Sequence, residues 1–233
     1  MSGCGEAAVG KPPPPPSWPA EPIGTKLNSG APITIELFLD LICPFSMKMF
    51  CALYDGDMFA KLDGKVCFVF QNVPQPWHPQ TVYLHEVSLL VKKHSPAVFA
   101  KFVRAVYKEF AGGFGRFFDE DTYEKSRKEI YAELVELAGG VGADKEKIAA
   151  DLKLMKLVLP PAAPKPELMA LTEATTAIKW AVQYQRKRGV HTTPTVFVNG
   201  IENGICSSGW DASKWELFLE PLGADGFTGS KLA

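Results

Sequence analysis

An apolar run ends at a cysteine in Ile33-Thr34-Ile35-Glu36-Leu37-Phe38-Leu39-Asp40-Leu41-Ile42-Cys43-Pro44-Phe45-Ser46, and this join constrains the fold more than any other segment. Ile33, Ile35, Leu37 and Leu39 alternate with Thr34, Glu36 and Asp40, the period-two pattern of a strand with one strongly buried face. Pro44 stands where a first helical residue is favoured, because that position has no intrahelical N–H partner to lose. Phe45, Met47, Met49, Phe50 and Leu53 continue as a helix packed on the sheet. The Cys43 sulfur therefore falls at a helix N-terminus, where unpaired N–H groups and the helix dipole favour a thiolate, the nucleophilic form of a cysteine.

Far downstream, Gly189-Val190-His191-Thr192-Thr193-Pro194-Thr195-Val196-Phe197-Val198-Asn199-Gly200 opens an apolar strand with a proline. Having no N–H for the ladder, Pro194 implies an edge, a bulge or a cis peptide. Val66-Cys67-Phe68-Val69-Phe70 is apolar on both faces and reads as a buried parallel strand. Between these strands the pattern is helical. Val98, Phe102, Val106 and Phe110 recur at every fourth position beside Phe99 and Val103, an amphipathic stripe. Further helices are expected at about 81–93, 122–138, 144–157 and 167–188, broken by Gly112-Gly113, Gly139-Gly140 and the Pro160-to-Pro166 loop. A hairpin is expected from Thr195–Asn199 and Gly204–Cys206, then a last helix at about Asp211–Glu220, capped by Ser207, Ser208 or Asp211.

Together these motifs resemble one family. Strand-Cys-Pro-x-x-helix, a long interruption and Gly-Val-x-x-Thr-Pro-Thr-x-x-Val-Asn-Gly resemble the DsbA-like branch of the thioredoxin superfamily. The resemblance is closest to eukaryotic DsbA-like proteins with a Cys-Pro-Phe-Ser site and a Gln-Pro-Trp-His-Pro stretch, here Gln75-Pro76-Trp77-His78-Pro79. It spans roughly Ala31 to Leu222. It implies an α/β thioredoxin fold with a helical insertion between the first βαβ unit and the cis-Pro strand. The expected boundaries are a Pro-rich disordered tail over 1–30, a thioredoxin-fold domain from 31–78 and 189–222, the insertion over 79–188, and a loose tail over 223–233. The resemblance further implies that cis-Pro194 faces Cys43 and that the Thr193 backbone pairs with an extended substrate or with glutathione.

Ser46 stands where two-cysteine sites carry the second cysteine, so no Cys-x-x-Cys disulfide can close. Its hydroxyl can donate to the Cys43 sulfur and favour the charged form, but cannot attack a mixed disulfide. The expected chemistry is a monothiol exchange in which Cys43 attacks a disulfide and an external thiol such as glutathione resolves the adduct. Cys51 lies eight residues on, about 12 Å along a helix, whereas disulfide-linked Cα atoms lie within roughly 7 Å. Cys67 reads as a small buried hydrophobe. Cys206 could come near Cys43 on the returning strand, and Cys4 on its tail could reach the site, although plain packing is the simpler role for Cys206. His78, with Phe45, is a candidate for substrate binding, and His191 is a weaker one. Asp40 is expected to end the strand rather than tune the thiol, and His85 and His94 carry no signal.

Composition excludes other classes. A net charge of -1 and a pI near 6.4 give no electrostatic footprint for nucleic acid. No run is apolar enough to cross a membrane. Cysteine and histidine spacing matches no zinc site, and no permanently bound cofactor is expected. The N-terminus lacks a secretory signal or a myristoylation glycine, and the final Ala233 spoils a peroxisomal address, so a reducing, cytoplasmic setting is expected. Two alternatives share the fold. Asp40-Leu41-Ile42-Cys43-Pro44-Phe45-Ser46 also resembles the Asp-x-x-Ser-Pro-Tyr-Ser segment of kappa-class glutathione transferases and 2-hydroxychromene-2-carboxylate isomerases, from which Cys43 in place of serine departs. A redox-inactive binding module is the other. Iron–sulfur carriage of the monothiol glutaredoxin kind is disfavoured by Pro44 and by the helical insertion.

Overall fold

A computed structural model describes residues 19, 21–29, 31–108, 116–158 and 167–223. Its centre is a five-stranded sheet in the order β1(Thr25–Lys26), β3(Val66–Asn72), β2(Ile33–Leu39), β6(Thr195–Val198), β7(Ile201–Glu202). β2 and β3 run parallel and are joined by α1(Pro44–Asp55) and α2(Met58–Lys61), while β1, β6 and β7 pair antiparallel with their neighbours. The odd-numbered β2 residues face the main core, where Phe50 of α1 meets the rings of Phe59, Phe70 and Tyr107 at 5.7–6.1 Å.

The segment between β3 and β6 holds α3(Thr81–His94), α4(Phe99–Lys108), α5(Asp119–Thr122), α6(Arg127–Gly140), α7(Lys145–Asp151) and α8(Ala174–Lys187). The amphipathic stripe is buried at Phe99, Phe102, Val103 and Val106; Phe110 lies outside the described residues. α6 starts with a reciprocal cap between Ser126 and Glu129, which explains why it begins later than the expected residue 122.

Four sequence expectations need correction. β4(Met155–Val158) pairs antiparallel with β5(Glu167–Leu171), where helix was expected. The prolines at 160, 161, 164 and 166 have no N–H to continue a helix and separate two short segments that pair instead. The sheet begins ahead of the residue-31 boundary. Asn28 Nδ2 donates to the carbonyls of Phe59 and Val66 and its Oδ1 accepts from Phe68 N–H, fastening residues 25–29 along β3. The Pro12–Pro16 run, Cys4 and residues 224–233 lie outside the described residues. The second face of β2 is covered as well: Glu36 is 7% exposed and accepts from Gln71, Tyr184 and Arg188. α8 supplies this cover through Tyr184, and Phe38, Val73, Val190 and Phe197 form a second, smaller core there.

The hairpin is tighter than expected. Asn199 and Gly200, at φ 49° and 85°, form a two-residue turn with both central residues in the left-handed region. β7 follows at once, so Gly204–Cys206 lies in the loop beyond it. α9(Ala212–Gly223) closes the domain, with Asp211 Oδ1 accepting from Lys214 N–H. Phe50→Ala should cost about 3–5 kcal/mol, whereas Tyr123→Ala, at a residue 85% exposed, should stay within about 0.5 kcal/mol. Urea denaturation of the two variants checks this.

Candidate active site around Cys43

Strand register builds this site. Phe38 lies opposite Thr195 in the β2–β6 pair, so the residues just before β6 fall beside the chain leaving β2. Thr193-Pro194 is cis, and Cys43 Sγ donates to the Thr193 carbonyl at 3.4 Å. Cys43 is the N-cap of α1, in extended conformation, and Pro44 is its first helical residue. The first amides of the helix have no intrahelical acceptor and give this end a positive field, although the Cys43 side chain makes no capping hydrogen bond to them. The cysteine is 7% exposed, while Phe45, two residues on, is 55% exposed.

Ser46 does not face the sulfur. It is fully buried, and its Oγ accepts from Asp40 N–H at 3.2 Å. Among the described residues it makes no hydrogen bond to Cys43, so the expected stabilisation of a thiolate by this hydroxyl is absent from the structure. The physical reason is the helix turn: three residues on from Cys43, the side chain points back over the end of β2.

Asp40 does more than end the strand. It is fully buried, and its Oδ1 accepts from Ile42 N–H at 2.6 Å and from Thr81 Oγ1 at 2.9 Å. Its Oδ2 accepts from Gln75 N–H at 2.6 Å and lies 3.4 Å from His78 Nδ1, an ion-pair separation rather than an aligned hydrogen bond. Burial works against the charge, but His78, the field of His85 and the two backbone N–H groups outweigh it and hold the carboxyl below its usual value. The Asp40 carbonyl accepts from Cys43 N–H at 3.3 Å and from Tyr107 Oη at 3.0 Å. Burial, with Asp40 and Cys43 nearby, raises Tyr107 well above 10, so it remains a neutral donor. His85 is fully buried beside Leu41 N–H and Asn72, and desolvation pushes it down to about 4. It is therefore neutral at pH 7, and its field acts on Asp40 only in acid.

Comparison with known proteins follows from this geometry. No protein-family model and no curated protein matches the chain. Solved structures do. One is described as "a putative protein-disulfide isomerase from Pseudomonas syringae", at 25% identity over 83% of this chain and 94% of that one, TM-score 0.58. The thiol-disulfide exchange protein alpha-DsbA2 from Wolbachia pipientis matches at 13% identity, over 85% and 87%, TM-score 0.57. BdbD from Bacillus subtilis matches at 19%, over 85% and 92%, TM-score 0.52. The chain has the thioredoxin fold in its DsbA-like form.

Within this DsbA-like fold the other candidates separate. His78 joins the site through Asp40, while His191 is exposed, two residues before Thr193. His94 pairs with Asp151 at 2.7 Å, on α3 and α7. Cys43, Cys51, Cys67 and Cys206 are all free. Burial lifts Cys51 to about 11 and Cys206 to about 12, so neither supplies thiolate near neutral pH. Cys67 is buried in β3. Among the described residues no group of three or more His, Cys, Asp or Glu could hold a metal ion, and no helix is long and apolar enough to cross a membrane. A cavity of about 1010 Å³ lies over the other sheet face, and neither Cys43, His78 nor Thr193 lines it.

Sequence reasoning missed Tyr107, Thr81 and His85. A signal existed for two of them. Thr81, His85 and Ser88 lie at i, i+4 and i+7 among the apolar residues of α3, the mark of a polar group buried with its helix face.

The sign of the pH dependence follows from the two shifts. His85 stays neutral in the fold but takes a proton below about 6.5 when unfolded, so its contribution is complete above that pH and lost as pH falls toward 4. The loss is of order 3 kcal/mol. Asp40 acts lower: its contribution is present above about pH 3.9, its unfolded value, and disappears as pH falls through the depressed folded value. Denaturation at several pH values should show stability falling between pH 6.5 and 4, and His85→Gln should remove much of that slope. An unaltered slope in the variant would show that His85 is not the neutral group described.

Proposed function

We propose that the protein is a thiol–disulfide oxidoreductase that works through Cys43 alone, with an external thiol such as glutathione resolving the adduct. The observation that carries this reading is the Cys43 sulfur at the N-terminus of α1, 3.4 Å from the carbonyl before cis-Pro194. Similarity to a thiol-disulfide exchange protein and to "a putative protein-disulfide isomerase" supports it. So does Ser46, which removes the internal resolving thiol.

The exchange balances without a further oxidant. The Cys43 thiolate attacks the glutathione sulfur of a mixed disulfide R–S–S–G; the new S–S bond forms as the old one breaks, and RS⁻ leaves and takes a proton. A second glutathione thiolate attacks the glutathione sulfur now bound to Cys43. Glutathione disulfide departs and Cys43 is regenerated as thiolate. In sum R–S–S–G and one free glutathione thiol give RSH and glutathione disulfide, so one thiol is oxidised for each thiol released. Protein or peptide disulfides enter at the same sulfur. On this reading the Thr193 main chain pairs with an extended substrate beside Pro194, Phe45 gives apolar contact, and His78, 3.4 Å from Asp40, serves the incoming group. A reducing, cytoplasmic compartment suits this chemistry and is part of the proposal.

Cys43→Ser should abolish glutathione-dependent reduction of a model disulfide and leave the circular dichroism spectrum unchanged. Mass spectrometry after oxidised glutathione should place the adduct on Cys43 and leave Cys51 and Cys206 unmodified. Absence of an adduct at Cys43, or retained reduction by the serine variant, would overturn the mechanism.

A further inference from the structure

A cavity of about 460 Å³ opens between the loop after β3 and the last turn of α8 with the residues that follow it; Cys43 does not line it, but its walls lead into the segments that hold Cys43. Two contacts fix its place. Gln75, on one wall, donates its N–H to Asp40, whose carbonyl receives the Cys43 N–H. Val190 and His191, on the other, lead directly into Thr193, whose carbonyl meets the sulfur. The volume falls within the roughly 300–1,000 Å³ of small-molecule sites.

Its chemistry is one-sided. Arg186 and His191 line it, both exposed, and neither side chain has a hydrogen-bond or ion-pair partner among the described residues. No Asp or Glu lines it. Gln75 is 3% exposed and its Nε2 has no acceptor, while Gln185 Oε1 is buried without a donor. Natural proteins leave few buried amide groups unpaired, so each such group asks for a partner. An adjoining cavity of about 840 Å³ shares Arg186, adds Lys179 and Lys187, and again has no Asp or Glu on its walls. Trp77 forms an exposed apolar wall. The complementary ligand is small and anionic. It brings carboxylate acceptors to the exposed Arg186 and His191 side chains.

We propose that this cavity is the carboxylate-binding subsite for the external thiol, and that it selects a small acidic peptide thiol over neutral or cationic ones. The inference rests on the single-thiol reading above and names the co-substrate class of that same sulfur.

The reduced full chain is mixed separately with three symmetrical disulfides: glutathione disulfide (anionic), bis(2-hydroxyethyl) disulfide (neutral) and cystamine (cationic). Mass spectrometry follows the Cys43 adduct. In each case Cys43 thiolate bonds to one sulfur, the original S–S bond breaks, and the second half leaves as thiolate. The readout is the rate ratio of glutathione disulfide to the neutral disulfide. One charge-assisted contact implies a ratio falling roughly tenfold in Arg186→Ala. In Arg186→Glu it should fall further, with cystamine overtaking glutathione disulfide. Arg186 is exposed on the last turn of α8, so both variants should fold. If the ratio is unchanged in both, the subsite is refuted while the Cys43 chemistry stands. If none of the three disulfides modifies Cys43, the single-thiol reading itself fails and this inference with it.

Discussion

A single buried carboxylate organises the surroundings of the reactive sulfur. Asp40 ends β2, and its carboxylate oxygens accept hydrogen bonds from Ile42 N–H, Gln75 N–H and Thr81 Oγ1 with His78 alongside. Its own N–H and carbonyl engage Ser46, Cys43 and Tyr107. The strand end, the start of α1, the loop after β3, α3 and α4 therefore converge on one residue. Burying a charge costs several kcal/mol unless hydrogen bonds replace water, and here three hydrogen bonds do so, with His78 alongside. The helical segment is thus part of the site's construction, because α3 and α4 supply two of the clamps that hold the chain entering Cys43.

This arrangement explains why a serine can replace the second cysteine without loosening the site. Ser46 Oγ is used by the Asp40 N–H, a structural bond the strand end needs. The price is chemical: the interior side of the helix start holds no second thiol, and Cys51 and Cys206 are made poor nucleophiles by burial. Among the described cysteines, Cys43 is the one at a helix start, with its sulfur bonded to the Thr193 carbonyl. In the function proposed above, the partner thiol comes from solution.

Much of the architecture was legible in the sequence because its signals were local and strong. Alternation over Ile33–Leu39, proline directly after Cys43, and proline opening β6 each restrict the backbone on their own. What was not legible depends on distant partners. Glu36 reads as a solvent-facing residue until Tyr184 and Arg188, about 150 positions later, cover it. Tyr107 and His85 read as ordinary helix positions, since the carboxylate they surround is contributed by another element. The Met155–Val158 and Glu167–Leu171 pairing was hidden by short apolar runs that suit strand or helix equally. The hairpin's length was misjudged because two adjacent Asn-Gly pairs offered turn signals, and the first one, at Asn199-Gly200, is the turn.

The fate of a purified Cys43–glutathione adduct puts the one-sulfur claim to its most direct trial. Added glutathione should release one glutathione disulfide per protein, return Cys43 to the free thiol, and leave every other cysteine reduced. An adduct that resolves in the absence of added thiol, with a disulfide appearing between Cys43 and another cysteine of the chain, would contradict it.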